Sequence, residues 1–165
     1  MALAEDVAKL IEQETTLIFS SFDEEAAFAI GSAIRDHGRA NALTLVADVR
    51  FWDRPLFYAA LPGTTCDNPE WVRRKSNMVK RLHRCSYRVV LERPFEERVF
   101  PPHRAIDPHD YAIAGGSFPI NVRGIGIVGA ITVSGLPERE DHGVAIAAIA
   151  RYLGHDPAAL ALAPQ

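Results

Sequence analysis

Asp141 and His142 stand side by side just inside a helical segment that opens at Leu136-Pro137-Glu138. A carboxylate in that position is favoured by the helix dipole with no ligand involved. The functional alternative is that His142, an imidazole titrating near neutral pH, faces a ligand or a subunit contact. His103, His109 and Tyr111 lie on a loop leading into Gly115-Gly116. Histidine and tyrosine are axial donors to haem iron, although loop histidines are more often simply solvated. Consecutive glycines such as Gly115-Gly116 either satisfy a turn of positive φ or expose backbone N–H groups to an anion.

A second group is basic. Arg73, Arg74, Lys75, Lys80, Arg81, Arg84 and Arg88 fall on one helical stretch with Asn77 between them. A solvated face is the default for such a run. The alternative is an anion-binding face, built on Arg73, Arg74 and Lys75, for tetrapyrrole propionates, phosphate or a partner's acidic surface. No flanking aromatic platform is free for stacking on bases, because the apolar stripe claims Trp71, so nucleic acid is not expected. Cys66 precedes a helix N-terminus, where a thiolate would be stabilised, but a small inert turn residue explains it as well. His83 and Cys85 are two apart and point to diverging helix faces. No Cys-x-x-Cys or His-x-x-x-His spacing exists, so no metal site is expected. Spacing shows no Ser-His-Asp or Cys-His set either, which geometry alone could assemble. Gly124-Ile125-Gly126-Ile127-Val128-Gly129 fits G-x-G-x-x-G formally, yet the residues after Gly129 read as strand, whereas dinucleotide binding needs a strand-to-helix turn.

The elements that must position these groups follow from periodicity. Leu3, Val7, Leu10 and Ile11 predict an amphipathic helix to about Glu14. Ser20 to Asp23 supplies caps for a second, with Ala26, Ala27, Ile30, Ala33 and Ile34 on one face and Gly38 as its stop. Residues 42–49 and 54–61 read as paired strands turning near Phe51-Trp52-Asp53. Asp67-Asn68-Pro69-Glu70 is a strong helix start. That helix runs to about Cys85 with Trp71, Val72, Met78, Val79 and Leu82 as its buried stripe. Ser86 to Leu91 continues it with a bend, and Glu92 to Arg98, with Pro94, reads as a surface segment. Pro101 to Pro108 is a loop, and Asp107-Pro108 starts a short helical turn. Residues 118–122 and 125–134 form a hairpin turning at Arg123-Gly124, and a last helix from Pro137 closes at Gly154.

The chain has 165 residues, 48% of them hydrophobic and 24% charged, with a formal net charge of −3. These values fit one soluble domain, exclude disorder and fibrous classes, and give no global pull toward nucleic acid or anionic membrane. The N-terminus lacks the basic region and cleavage site of a signal peptide, and no apolar stretch reaches bilayer length. A cytoplasmic location is expected, with Cys66 and Cys85 as free thiols.

Gly115-Gly116-Ser117-Phe118-Pro119-Ile120, then Gly129-Ala130-Ile131-Thr132-Val133-Ser134-Gly135, then Glu140-Asp141-His142 opening a helix, resembles the GlcG/HbpS-like, or haem-degrading-domain, superfamily. Phe57 to Thr65, Asp67-Asn68 and Trp71 to Asn77 look like the branch catalogued as uncharacterised protein family 0303. The resemblance spans about residues 22–153. It implies an α+β, profilin-like, three-layer α/β/α domain around a mainly antiparallel five-stranded sheet, assembled as a homo-oligomer. Relatives bind haem or corrinoid cofactors, which makes haem the cofactor to test. Together with the residues above, the motif marks Tyr111, Gly115, Gly116, Ser117, Phe118, Asp141 and His142 as candidates for a pocket taking a small anionic or tetrapyrrole ligand. The alternatives are an enzyme degrading haem or acting on a small metabolite through Asp141 and His142, and an oligomeric module that binds other proteins.

Overall fold

A computed structural model describes residues 2–93 and 97–165; Pro94 to Glu96, within the expected surface segment, lie outside the described residues. The elements in chain order are α1 (Ala2–Thr16), α2 (Glu24–Ala40), β1 (Val46–Phe51), β2 (Arg54–Ala60), α3 (Asp67–Leu82), α4 (Ser86–Glu92), β3 (Ser117–Val122), β4 (Gly126–Ser134), α5 (Glu138–Tyr152) and α6 (Pro157–Leu160). Local chemistry sets several boundaries. The Asp23 carboxylate accepts the Ala26 N–H (2.9 Å) to start α2. Before α3, the Asn68 side chain accepts the Thr65 N–H and the Thr65 hydroxyl accepts the Asp67 N–H. His83 adopts a left-handed conformation at φ 55° and stops α3. The residues after it therefore form a separate helix, α4, rather than a bent continuation. Residues 107–111 form the expected single turn, the Asp107 carbonyl accepting the Asp110 and Tyr111 N–H groups at 3.0 Å, and a 3-10 turn at Pro102–Arg104 interrupts the loop before it.

The strands form one antiparallel sheet in the order β2-β1-β4-β3. Four strands are present among the described residues, not the expected five. The segment at the free edge of β3 makes a single parallel bridge, Phe19 to Val122. There the Phe19 N–H donates to the Asn121 carbonyl and the Arg123 N–H donates to the Phe19 carbonyl, both at 2.8 Å. Only residues 17–23 separate the end of α1 from the first residue of α2, so the chain must turn away before a ladder can extend.

The two faces of the sheet differ in chemistry. Ala47, Val49, Phe118, Ile120, Ile131 and Val133 are buried on one face, against α2 and α5. On the other face, residues paired across the strands place Tyr58, Asp48, Thr132 and Ser117 in one polar row. Helix α3 covers the β4 and β3 side of this row. The arrangement is thus three-layered, as expected of the α+β class. No helix among the described residues is long and apolar enough to cross a membrane.

The buried stripe of α3 differs from the predicted one. Val72, Lys75, Ser76, Met78 and Val79 face inward, whereas Trp71 is 36% exposed. Lys75 and Ser76 lie three and four residues after Val72, which is the spacing that shares a helix face; Trp71, one residue earlier, is rotated away. Its indole N–H donates to Asp67 (2.9 Å), and the Arg74 guanidinium stacks 4.9 Å from its ring centre.

Two glycines test the packing with opposite signs. A Cβ on Gly129 would collide with the Arg50 carbonyl of β1, whereas one on Gly143 of α5 meets nothing within 4 Å. Gly129→Ala is expected to destabilise by about 1–3 kcal/mol and Gly143→Ala to stabilise by about 0.5–1 kcal/mol, both read as shifts in the urea midpoint.

Candidate functional site

At the end of the sheet where β3 begins and β4 ends, Lys75 from α3 reaches Asp141 from α5. The Lys75 ammonium donates to Asp141 Oδ2 at 2.9 Å and to the Val133 carbonyl at 3.3 Å. The two side chains are only 4% and 2% exposed. Burial pushes the Asp141 carboxyl above its ordinary range, opposed by the Lys75 charge and hydrogen bond and by the Leu136 and Gly135 backbone N–H groups. Asp141 Oδ1 accepts the Leu136 N–H at 3.0 Å, which ties the carboxylate to the turn before α5.

Gly116 makes this meeting possible. It adopts φ +123°, and a Cβ there would lie against the Val133 carbonyl, 3.0 Å from the Asp141 Cβ and 3.0 Å from Lys75 Nζ. Its neighbour Gly115 lies against the Tyr87 ring and donates its N–H to Glu138 at 3.1 Å. The glycine pair is buried and admits the ion pair; its N–H groups are not presented as an open nest.

The pair lies in the wall of a cavity of about 350 Å³, which also takes in Asp67, Asn68 and Trp71 at the start of α3, Ala114, Ser134 and Glu138. Burial raises the Glu138 carboxyl, but the hydrogen bonds from Arg98 and the Gly115 N–H and the Arg98 charge outweigh it and leave it below its usual range. The cavity wall therefore holds three carboxylates and one ammonium.

The remaining sequence candidates lie elsewhere. Ser117 is buried under α3 and α4, its N–H donating to the Ser86 hydroxyl and its own hydroxyl meeting Thr132 at 2.8 Å. Phe118 is in the core on the opposite face. Tyr111 packs, partly buried, against that core. His103 and His109 are exposed, and His109 lies 3.1 Å from Asp110. Arg73 binds Asp110, Glu70 and the His109 carbonyl, and Arg74 binds the Pro108 carbonyl. They hold the 107–111 turn, while Lys75, one residue on, points inward; the three do not share a face. Cys66 is exposed and Cys85 buried, both as free thiols.

His142 is adjacent to Asp141 in sequence but not in space. Its ring is fully buried between Tyr87 and Phe118, with Nε2 2.8 Å from the Gln13 side-chain oxygen and Nδ1 without a partner. Gln13 donates in turn to the Leu160 carbonyl. Burial first, and the nearby Arg139 charge second, push the imidazole down to about 3. Sequence reasoning missed Asp67, Asn68, Ser134 and Glu138 because nothing in their local pattern signals convergence. Helix phase, with Lys75 three residues after Val72, was the one signal that could have placed Lys75 inside. Among the described residues no cluster of three or more His, Cys, Asp or Glu is placed to hold a metal ion.

The model of the family described as haem degrading protein HbpS-like matches residues 22–150. The chain belongs to the HbpS-like family. A UPF0303 protein of Mesorhizobium japonicum is 52% identical over 165 residues, covering 100% of this chain and 99% of that one. Among solved structures, the Ybr137w protein is similar at a TM-score of 0.79 and 24% identity, with 90% of each chain covered. A PduOC:heme complex is similar at 0.64 and 14%, with 81% of this chain and 94% of that one covered. At those identities the two structures speak for the fold alone. This HbpS-like chain keeps the fold while placing its buried ion pair at the sheet's end.

Removing one partner of such a pair leaves an uncompensated buried charge. Lys75→Met and Asp141→Ala are each expected to lower stability by about 3–5 kcal/mol, and the double variant Lys75→Met/Asp141→Leu to recover much of that loss, measured by urea unfolding. For His142, the unfolded chain binds a proton below about 6.5 that the folded chain refuses until about 3. Stability should therefore fall as pH drops through that window, by about 1.4 kcal/mol per pH unit for one proton. Subtracting the curve of His142→Gln, which lacks the imidazole, isolates this slope; a difference flat with pH would refute it.

Proposed function

We propose that the protein is a small-molecule-binding module whose ligand occupies the cavity walled by Lys75, Asp141, Glu138, Asp67 and Trp71. The observation behind this is the buried Lys75–Asp141 pair lying in the wall of a cavity rather than inside the packed core. Ligand pockets span roughly 300–1,000 Å³ and rely on a few convergent polar groups, and about 350 Å³ lies at the small end of that range. With Asp141 paired to Lys75 and Glu138 to Arg98, the remaining Asp67 carboxylate makes the wall slightly acidic, which favours a neutral molecule rich in hydroxyl donors over the anionic ligand expected from the sequence. Trp71 at the cavity supplies an apolar flank.

A tetrapyrrole reading has behind it the family description and the haem complex of the PduOC neighbour. Haem needs an axial donor beside an apolar slot. His103, His109 and Tyr111 do not line the Lys75 cavity. His142 lies behind the wall of a second cavity, of about 490 Å³ beside Arg139, Ile146 and Leu162, where its ring is 0% exposed and its Nε2 is 2.8 Å from the Gln13 side-chain oxygen, so it presents no open donor there. The largest described groove, about 660 Å³ beside Phe22, Phe51 and Trp52, holds no His, Tyr, Cys or Met among its lining residues. The residues present do not fit haem as a resident cofactor, and no role is assigned through it. We also propose that residues 1–165 act as one domain in a cytoplasmic homo-oligomer. The single core cluster supports the first, and the exposed Phe28, Tyr58 and Ile125 offer surface for the second.

Amide chemical shifts of the labelled protein titrated with erythritol test the pocket. Changes are expected at Asn68, Ser134 and Gly135 and should be lost in Ala114→Leu; changes scattered over the surface would remove the pocket reading. Haemin titrated in parallel is expected to show the spectrum of free haemin. A saturable Soret shift of one per chain, weakened by substituting His103, His109, Tyr111 or His142, would restore the haem reading.

A further inference from the structure

We infer that Lys75 is an amine nucleophile that condenses with small, uncharged hydroxy-aldehydes or hydroxy-ketones entering its cavity, with Asp141 as the proton carrier. This rests on the binding reading of the same cavity and adds covalent chemistry to it.

The choice of residue is the first observation. The chain has 18 basic residues, of which only Lys9, Lys75 and Lys80 are lysine. Among the described residues arginine serves in the pairs Arg88 with Glu14, Arg139 with Asp6, Arg98 with Glu138 and Arg50 with Asp48, and the other lysine pair, Lys9 with Glu12, is a more exposed contact within α1. Arginine suits permanent pairs because its guanidinium stays charged and binds carboxylates in two-pronged fashion, whereas a buried lysine can give up its proton. At the most buried pair, next to a cavity, the chain carries lysine.

Geometry is the second. Lys75 Nζ lies 2.9 Å from Asp141 Oδ2, so a proton moving between them converts ammonium and carboxylate into amine and carboxylic acid. The free amine that such a transfer leaves on Lys75 is the nucleophile of a carbonyl condensation. Asp141 keeps its orientation through the Leu136 N–H, and the Val133 carbonyl holds the amine in place. Asp67 offers a carboxylate to substrate hydroxyls in the same wall, while Glu138 there is bound through both oxygens by Arg98.

The step balances without a further reactant. The Lys75 nitrogen lone pair forms a bond to the carbonyl carbon, and the nitrogen passes a proton to the carbonyl oxygen to give a carbinolamine. The Asp141 acid then protonates the hydroxyl, the C–O bond breaks, and water leaves. The product is an iminium on Lys75 facing the Asp141 carboxylate.

The test uses the intact protein, glycolaldehyde as probe and cyanoborohydride to reduce the iminium to a stable secondary amine, with peptide mass spectrometry to assign the three lysines. Lys75 is expected to label at least tenfold faster than Lys9 and Lys80. Asp141→Asn should slow Lys75 at least tenfold and leave the other two unchanged; equal slowing of all three would contradict the proton-carrier role. Labelling of Lys75 in the wild-type protein no faster than Lys9 and Lys80 overturns the inference, whatever the variants do. Erythritol shifts at the cavity without Lys75 labelling would leave the binding reading and remove the amine chemistry. Absence of both would remove both.

Discussion

Two opposite charges buried at one end of the sheet constrain much of this fold. Neither Lys75 nor Asp141 can remain ionised out of water alone, so α3 and α5, which lie on opposite faces of the sheet, must meet at its end. That meeting requires a gap in the backbone layer between them, and Gly116 with its positive φ provides it. The strand order follows suit: β3 and β4 are neighbours, and their paired ends form the floor on which the lysine rests through the Val133 carbonyl. The adjacent cavity exists because the helix starts at Asp67 and Glu138 flank this junction.

Polar groups are distributed asymmetrically around the same sheet. The face against α2 and α5 is apolar, and His142 of α5, packed beside it, is kept neutral by burial first and the Arg139 charge second, with its Nε2 against Gln13. The face under α3 carries the row of Ser117, Thr132, Asp48 and Tyr58. Asp48 is fully buried; burial raises its carboxyl, and Arg50 opposes this with two hydrogen bonds of 2.7 and 2.8 Å. Burial, and Asp48 after it, push the Tyr58 phenol upward. Helix α1 is fastened to the rest by charge: Glu14 accepts from the Cys85 N–H and Arg88 of the α4 segment, and Asp6 from Arg139 of α5. These pairs use arginine and are more exposed than Lys75 and Asp141, which sets the lysine pair apart chemically.

Membership of the HbpS-like family accounts for the architecture and leaves the chemistry to the site. The expected donors for haem are scattered between solvent and core. What converges is an amine, three carboxylates and an indole.

Much of the fold was legible in sequence. The cap at Asp23, the hairpin around Gly124 and the last helix all rest on interactions between residues close along the chain, and these are where expectation and structure agree. Helix α3 starts as expected at Asp67, but with Cys66 at its N-cap position and no side-chain cap bond. Asp141 was singled out because the start of a helix is a local feature. Its partner Lys75 was singled out as well, but with Arg73 and Arg74 as one anion-binding face, because a run of basic residues reads as exposed and the 66 residues between Lys75 and Asp141 hide their pairing. His142 seemed to belong with Asp141, but adjacent helix positions are rotated by about 100°, so one faces the cavity and the other the core. The count of strands turned on whether the segment around Phe19 could extend alongside β3 before α2 had to begin. Near neighbours and periodicity suffice for most of the helices, the hairpins and the family. Which charges lose water together is set by burial and convergence, and those belong to residues distant in the chain.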